Sequence, residues 1–336
     1  MRLGPKIRFT LAAASTAISI SGCADAPEPA PQTTPLPASQ ESTEVPVQMG
    51  LVPRSAITPF YKGKKMVDMA AIEPADPKIA FAVGAIEQED SHGCNVTVLG
   101  AFLAASVIHC ISFNPEDQLQ LSVQTNNGER LATMQNAATL PPGLLKKLDP
   151  DIPKAFTDDI ETRYYWSAGD KALVLLSDDL SAEAGSMPIA ALDSLNWQPM
   201  PTTGFSVADV SLLTHWPATD GVSSIFYKIA CHVYRMNNVK GVVAHDCPST
   251  HGVSGSPIVT EYEDNQFALV AFSQSILGDL PDPMYTTFAK ALPDMVLVAF
   301  ASVAEGLIDA CNMLSNCKTT RDPVTGFTHL NLTGIN

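Results

Sequence analysis

From residue 78 onward the chain breaks into short apolar runs. "IAFAVGAI" (79–86), "CNVTVLGAFLAASVIHC" (94–110), "QLQLSVQ" (118–124), "KALVLL" (171–176) and "VSLLTHW" (210–216) fit strands or strand pairs. So do "SIFYKIACHVY" (224–234), "GSPIVTEY" (255–262), "FALVAFS" (267–273) and "MYTTFAKAL" (284–292). Gly, Pro, Asn and Asp punctuate the intervals, and many short strands with such turns predict an all-β sandwich or barrel arrangement. One late segment differs. "PDMVLVAFASVAEGLIDACNML" (293–314) spaces Val296, Phe300, Val303 and Leu307 as a helix does. Glu305 and Asp309 argue against reading that apolar stretch as a membrane span.

The N-terminus has a different logic. Arg2, Lys6 and Arg8 precede the small and apolar run "TLAAASTAISISG", which stops at Cys23. A basic start, a short apolar run and a small-residue junction read as a secretory signal over residues 1–22. The junction Ile20-Ser21-Gly22-Cys23 resembles a bacterial lipobox, in which the cysteine is lipidated after cleavage. The alternative is ordinary cleavage near Gly22 that leaves a free thiol. Ala24 follows Cys23, so an aspartate adjacent to the lipid, which would signal retention at the inner membrane, is absent. The expected location is the bacterial cell envelope, on the periplasmic side of a membrane, anchored by lipid on Cys23. Residues 23–77 are rich in Pro, Ser, Thr and Gln, too poor in apolar surface to fold alone, and read as a tether or a propeptide.

Charge removes one class of partner. The 336 residues carry a net charge of −15. Removing 1–22 takes away three cations and no acid, leaving 17 basic against 35 acidic residues, or −18. No basic patch is available to neutralise phosphates, so nucleic acid is not an expected partner.

Export gives the cysteines meaning. Setting Cys23 aside leaves six, an even number that suggests disulfides in an oxidising compartment. They fall into neighbours along the chain, separated by 16, 16 and 6 residues. Cys94–Cys110, Cys231–Cys247 and Cys311–Cys317 are the expected bridges. A zinc site is the competing reading, weakened because no Cys-x-x-Cys pair is present.

The chemistry centres on "CPSTHGVSGSPIV" (247–259), where Ser254 lies between small residues with a proline beyond. An acyl-transfer serine needs a base, a group orienting that base, and donors for the developing oxyanion. Of seven histidines, His109 stands out, because it ends an apolar strand and Cys110 follows it at once. Asp170 stands just ahead of the apolar strand "KALVLL". Alone, each has an ordinary reading, as a strand-end histidine and a solvated turn aspartate.

Together, in order, these segments resemble the chymotrypsin-like (trypsin-like) serine endopeptidases, most closely the bacterial glutamyl-endopeptidase-like branch. The resemblance rests on "CNVTVLGAFLAASVIHC", "DKALVLL", "GVSGSPI", and "MYTTFAKAL" with the helix after it, and covers roughly residues 78–310. The order His, Asp, Ser is that family's order, with separations of 61 and 84 residues. It implies two antiparallel six-stranded β-barrels with a C-terminal helix, one barrel over about 78–185 and the other over about 186–292. Residues 311–336 are left as a tail that carries the expected Cys311–Cys317 bridge. It also implies that Ser254 attacks the scissile carbonyl, that His109 is general base and then acid, and that Asp170 holds the imidazole. The backbone N–H groups of Gly252 and Ser254 would form the oxyanion hole. Substrates would be proteins or peptides, with no metal and no organic cofactor.

The sequence departs from the family at several positions. Val107 and Ile108 stand where small alanines usually precede the histidine. Val253 stands where trypsin-like zymogens carry the aspartate that receives a freed N-terminus, so that switch is not expected. Pro248 lies where trypsin has its basic-selective aspartate, so cleavage after Lys or Arg is not supported. Ser249 and Ser273 are the nearest counterparts of the threonine and histidine that line the pocket in glutamyl endopeptidases. His251 either lines the pocket rim or lies on the surface. Two rivals to a peptidase stay open: a catalytically silent protein on the same scaffold that binds peptides or envelope proteins, and a lipid-anchored esterase.

Overall fold

The computed structural model describes residues 72–74, 82–87, 94–111, 119–125, 127–139, 168–200, 205–216, 225–236, 240–247, 253–263, 266–276 and 299–333. Within them the chain is mostly β. A short first strand, β1 (Ile72–Pro74), precedes six strands: β2 (Val83–Glu87), β3 (Cys94–Gly100), β4 (Leu103–Ser106), β5 (Gln120–Thr125), β6 (Gly128–Ala138) and β7 (Ala172–Leu176). These six close into an antiparallel barrel in the order β2-β3-β4-β7-β6-β5. Closure leaves no unpaired sheet edge. Its interior is filled by Val83, Val96, Val98, Leu103, Leu121 and Leu173, all essentially inaccessible to solvent.

A helical turn, α1 (Ser181–Ala184), and a short strand, β8 (Gln198–Met200), lead to the second barrel. It is built from β9 (Phe205–Trp216), β10 (Ile225–Met236), β11 (Val242–His245), β12 (Pro257–Glu263), β13 (Gln266–Ile276) and β14 (Ala299–Val303). The β9–β10 pairing, twelve residues long, closes the ring. A second core of Leu212, Ile229, Val233, Val243, Ile258 and Val270 fills it. β1, within the stretch read as tether or propeptide, pairs antiparallel with residues 227–229 of β10. The molecule therefore has the chymotrypsin-like double-barrel arrangement with one C-terminal helix.

One segment of the sequence reading is corrected. Of residues 293–314, Ala299–Val303 forms β14, and the helix, α2 (Gly306–Met313), is only its second half. A continuous apolar run satisfies strand and helix spacing equally, so periodicity could not separate them. β14 pairs with β11 and β13, and its buried register is what the run supplies. The strand expected over 284–292 lies outside the described residues.

The C-terminal residues join both barrels. After α2 comes a hairpin, β15 (Cys317–Arg321) and β16 (Thr328–Leu332). Ile189, on the connection between the barrels, exchanges backbone hydrogen bonds with Thr328 at 2.8 and 2.9 Å. Its neighbour Ala190 donates to Leu269 O of β13 at 2.8 Å. On the first barrel, a Cβ at Gly100 would stand 2.2 Å from Leu330 O, so only glycine lets β16 lie this close to β3. The expected disulfides, Cys94–Cys110, Cys231–Cys247 and Cys311–Cys317, are all formed. That leaves none of the six cysteines as a zinc ligand.

Candidate active site

β4 and β7 pair antiparallel with Ser106 opposite Ala172. Three residues beyond Ser106 lies His109, and two residues before Ala172 lies Asp170, so the register brings both to the same barrel rim. His109 sits in a single 3-10 turn, Ile108–Cys110. Cys110 is bonded to Cys94 at the start of β3, which fixes that turn to the neighbouring strand. The His109 backbone N–H donates to Asp170 Oδ1 at 3.2 Å, and its Nδ1 lies 2.7 Å from Oδ2. One carboxylate thus holds both the backbone and the ring. An ionised carboxylate accepts the Nδ1 proton and leaves Nε2 as the basic nitrogen. Asp170 is 3 % exposed, whereas the imidazole is 35 % exposed and can meet a substrate.

Ser254 comes from the second barrel, in a turn closed by Ser256 N–H donating to Val253 O at 3.0 Å. Gly255 has φ +80, a left-handed conformation, and a Cβ there would lie 2.2 Å from Asn95 O and 2.4 Å from Ser106 Oγ. The glycine is required twice, by its backbone and by the first barrel pressed against it. Asn95 N–H donates to Ser254 O at 2.8 Å. Ser106 Oγ donates to Asn95 O at 2.6 Å. Asn95 adjoins Cys94, whose disulfide partner adjoins His109, so one backbone hydrogen bond and one disulfide link the serine turn to the histidine turn.

The serine hydroxyl has its own partner. Ser254 Oγ donates to Gln274 O of β13 at 2.9 Å, and among the described residues no hydrogen bond joins it to His109. Catalytic hydrogen bonds are often long or misaligned in unliganded sites and tighten when substrate binds. Ser256 Oγ donates to Thr214 Oγ1 at 2.8 Å, anchoring the far side of the turn in the second barrel.

The remaining residues singled out from the sequence divide in two. Ser273 lies one residue before Gln274 and is buried, its Oγ 3.5 Å from His245 Nε2. Burial pulls the His245 imidazole down to about 4, so it is neutral at physiological pH. Gly252, Pro248, Ser249, His251 and Cys23 lie outside the described residues. Sequence reasoning missed Asn95, Gln274 and His245, which act through backbone groups or burial and carry no local signal. It also passed over Lys171, whose signal was visible as a cation opening an apolar strand. No protein-family model matches the chain, and no characterised protein matches it.

Proposed function

We propose that the chain is an exported serine endopeptidase, anchored by lipid on Cys23 and facing the periplasm. The observation that carries the reading is the pair of hydrogen bonds from His109 to the buried Asp170 carboxylate, on the rim where the Ser254 turn docks. In this reading a peptide enters between the barrels and the Ser254 hydroxyl leaves Gln274 O for His109 Nε2. The oxygen attacks the carbonyl carbon while Nε2 takes the proton, and Asp170 steadies the imidazolium. The oxyanion accepts from the backbone N–H groups of Ser254 and Gly252. His109 then protonates the leaving amine, and water, activated by the same nitrogen, releases the acyl group. Removing one oxyanion donor lowers turnover by roughly 10²–10³ in such sites.

One observation favours a second reading, a catalytically silent protein on the same scaffold that binds peptides. It is the Ser254 hydroxyl resting on Gln274 O instead of His109. A cleavage profile of the purified protein over a peptide library separates the two. The peptidase reading expects discrete cleavage that disappears in Ser254→Ala. Binding without cleavage supports the silent reading. Metabolic labelling with palmitate, present in the wild type and lost in Cys23→Ala, tests the anchor.

A further inference from the structure

The residue after Asp170 is a lysine with its side chain buried between the barrels. Lys171 Nζ donates to Ala168 O and, at 3.0 Å, to Ser302 Oγ of β14. Ser302 Oγ donates in turn to the same Ala168 carbonyl at 3.0 Å. The Lys171 backbone N–H donates to Gly169 O at 2.7 Å. Residues 168–171 are thus closed by their own last side chain, and Ser302 ties the closed segment to the second barrel. Asp170 is held inside it.

An ammonium is costly to bury, and an apolar side chain of similar length would fill the space without that cost. The acidic groups facing it are Asp170 in its own segment, Asp309 on α2 and Glu305 just before α2. Burial outweighs them and lowers Lys171 to about 8, so the group is still charged at neutral pH.

We propose that Lys171 is a positioning residue for Asp170: it locks segment 168–171 onto the second barrel and so sets the carboxylate on His109. The catalytic part of this rests on reading His109 as the general base. Two variants of the full-length protein grade the loss of the anchor. Lys171→Met removes both Nζ hydrogen bonds, and kcat is expected to fall on the order of tenfold with KM within about twofold. The downfield NMR resonance of the His109 Nδ1–H, held on Asp170, should then shift or be lost. Ser302→Ala removes only the bond to the second barrel, with a smaller kcat loss of roughly two- to threefold and a retained Nδ1–H resonance. A folded Lys171→Met protein with unchanged kcat and an unchanged Nδ1–H resonance overturns the proposal. If Lys171→Met does not fold, an unaltered kcat in Ser302→Ala overturns it. Absence of cleavage in the wild type would sink the peptidase reading alone, since the His109 Nδ1–H resonance reports on Lys171 without any turnover.

Discussion

Two of the described histidines grip an aspartate in the same way, and one of them has no role in the proposed chemistry. His109 meets Asp170 through backbone N–H and Nδ1 at 3.2 and 2.7 Å. His232 meets Asp246 through the same two groups at 2.6 and 2.8 Å. Both pairs sit beside a disulfide, Cys94–Cys110 in one case and Cys231–Cys247 in the other. The surroundings differ. Asp246 also accepts from Tyr234 Oη at 2.8 Å, and His232 Nε2 lies 3.5 Å from Asp209 Oδ1, its cross-strand partner on β9. The nitrogen that would act as a base is already committed to a carboxylate. Among the described residues the second ring nitrogen of His109 has no partner, and a serine turn from the other barrel is bonded to the adjacent strand. A His–Asp pair is therefore a common structural clasp, and only its setting makes it a candidate for catalysis.

The largest expected contrast is in activity. His109→Ala should reduce peptide cleavage on the order of 10⁴-fold or more, as removal of a triad base does. His232→Ala should leave kcat/KM within about twofold. Comparable losses in both variants, measured on folded protein, would break the comparison.

The disulfides sharpen it next. Each bridge closes a separation of 16 residues, so both removals should cost similar stability, about 2–4 kcal/mol by denaturant unfolding. Replacing Cys94 and Cys110 with serine should also lower kcat, because the bridge carries the His109 turn. Replacing Cys231 and Cys247 should not. Gly255→Ala tests the inter-barrel contact directly. Its Cβ has no room against Asn95 O, so destabilisation of about 1–3 kcal/mol is expected, together with loss of cleavage.

The smallest effect concerns pH. The hydrogen bond that His232 makes to Asp246, with the charges of Asp246 and Asp209, raises the His232 pKa above its usual value, although partial burial works against them. A raised folded-state value stabilises the protein below the unfolded pKa, and that stabilisation fades as pH rises through the folded value. Wild type should therefore lose part of its advantage over His232→Gln as pH rises past about 6.5. Half-exposure of the ring keeps this modest. A stability difference independent of pH between 5 and 9 would show that the pair contributes by packing alone.

Much of the scaffold was legible because it is written in local signals. Turn residues at short intervals gave the strands, and the cysteine spacing gave the bridges. The candidate site residues stood out as an ordered set, since His109, Asp170 and Ser254 each occupy the edge of an apolar run. What escaped was set by tertiary context. β6, "GERLATMQNAA", is partly exposed and polar, so it lacks an apolar run to mark it. β14 and α2 share one apolar stretch, and only barrel closure decides where the strand ends. The His232–Asp246 clasp depends on the strand register, as does the seat of Ser254 on Asn95, and neither pairing has a sequence spacing that announces it.

The most direct measurement is labelling of the full-length protein with a serine-directed fluorophosphonate, with the modified residue located by mass spectrometry. The account predicts one adduct on Ser254, absent in Ser254→Ala, strongly reduced in His109→Ala and undiminished in His232→Ala. No adduct at Ser254, or labelling that ignores His109, would contradict it.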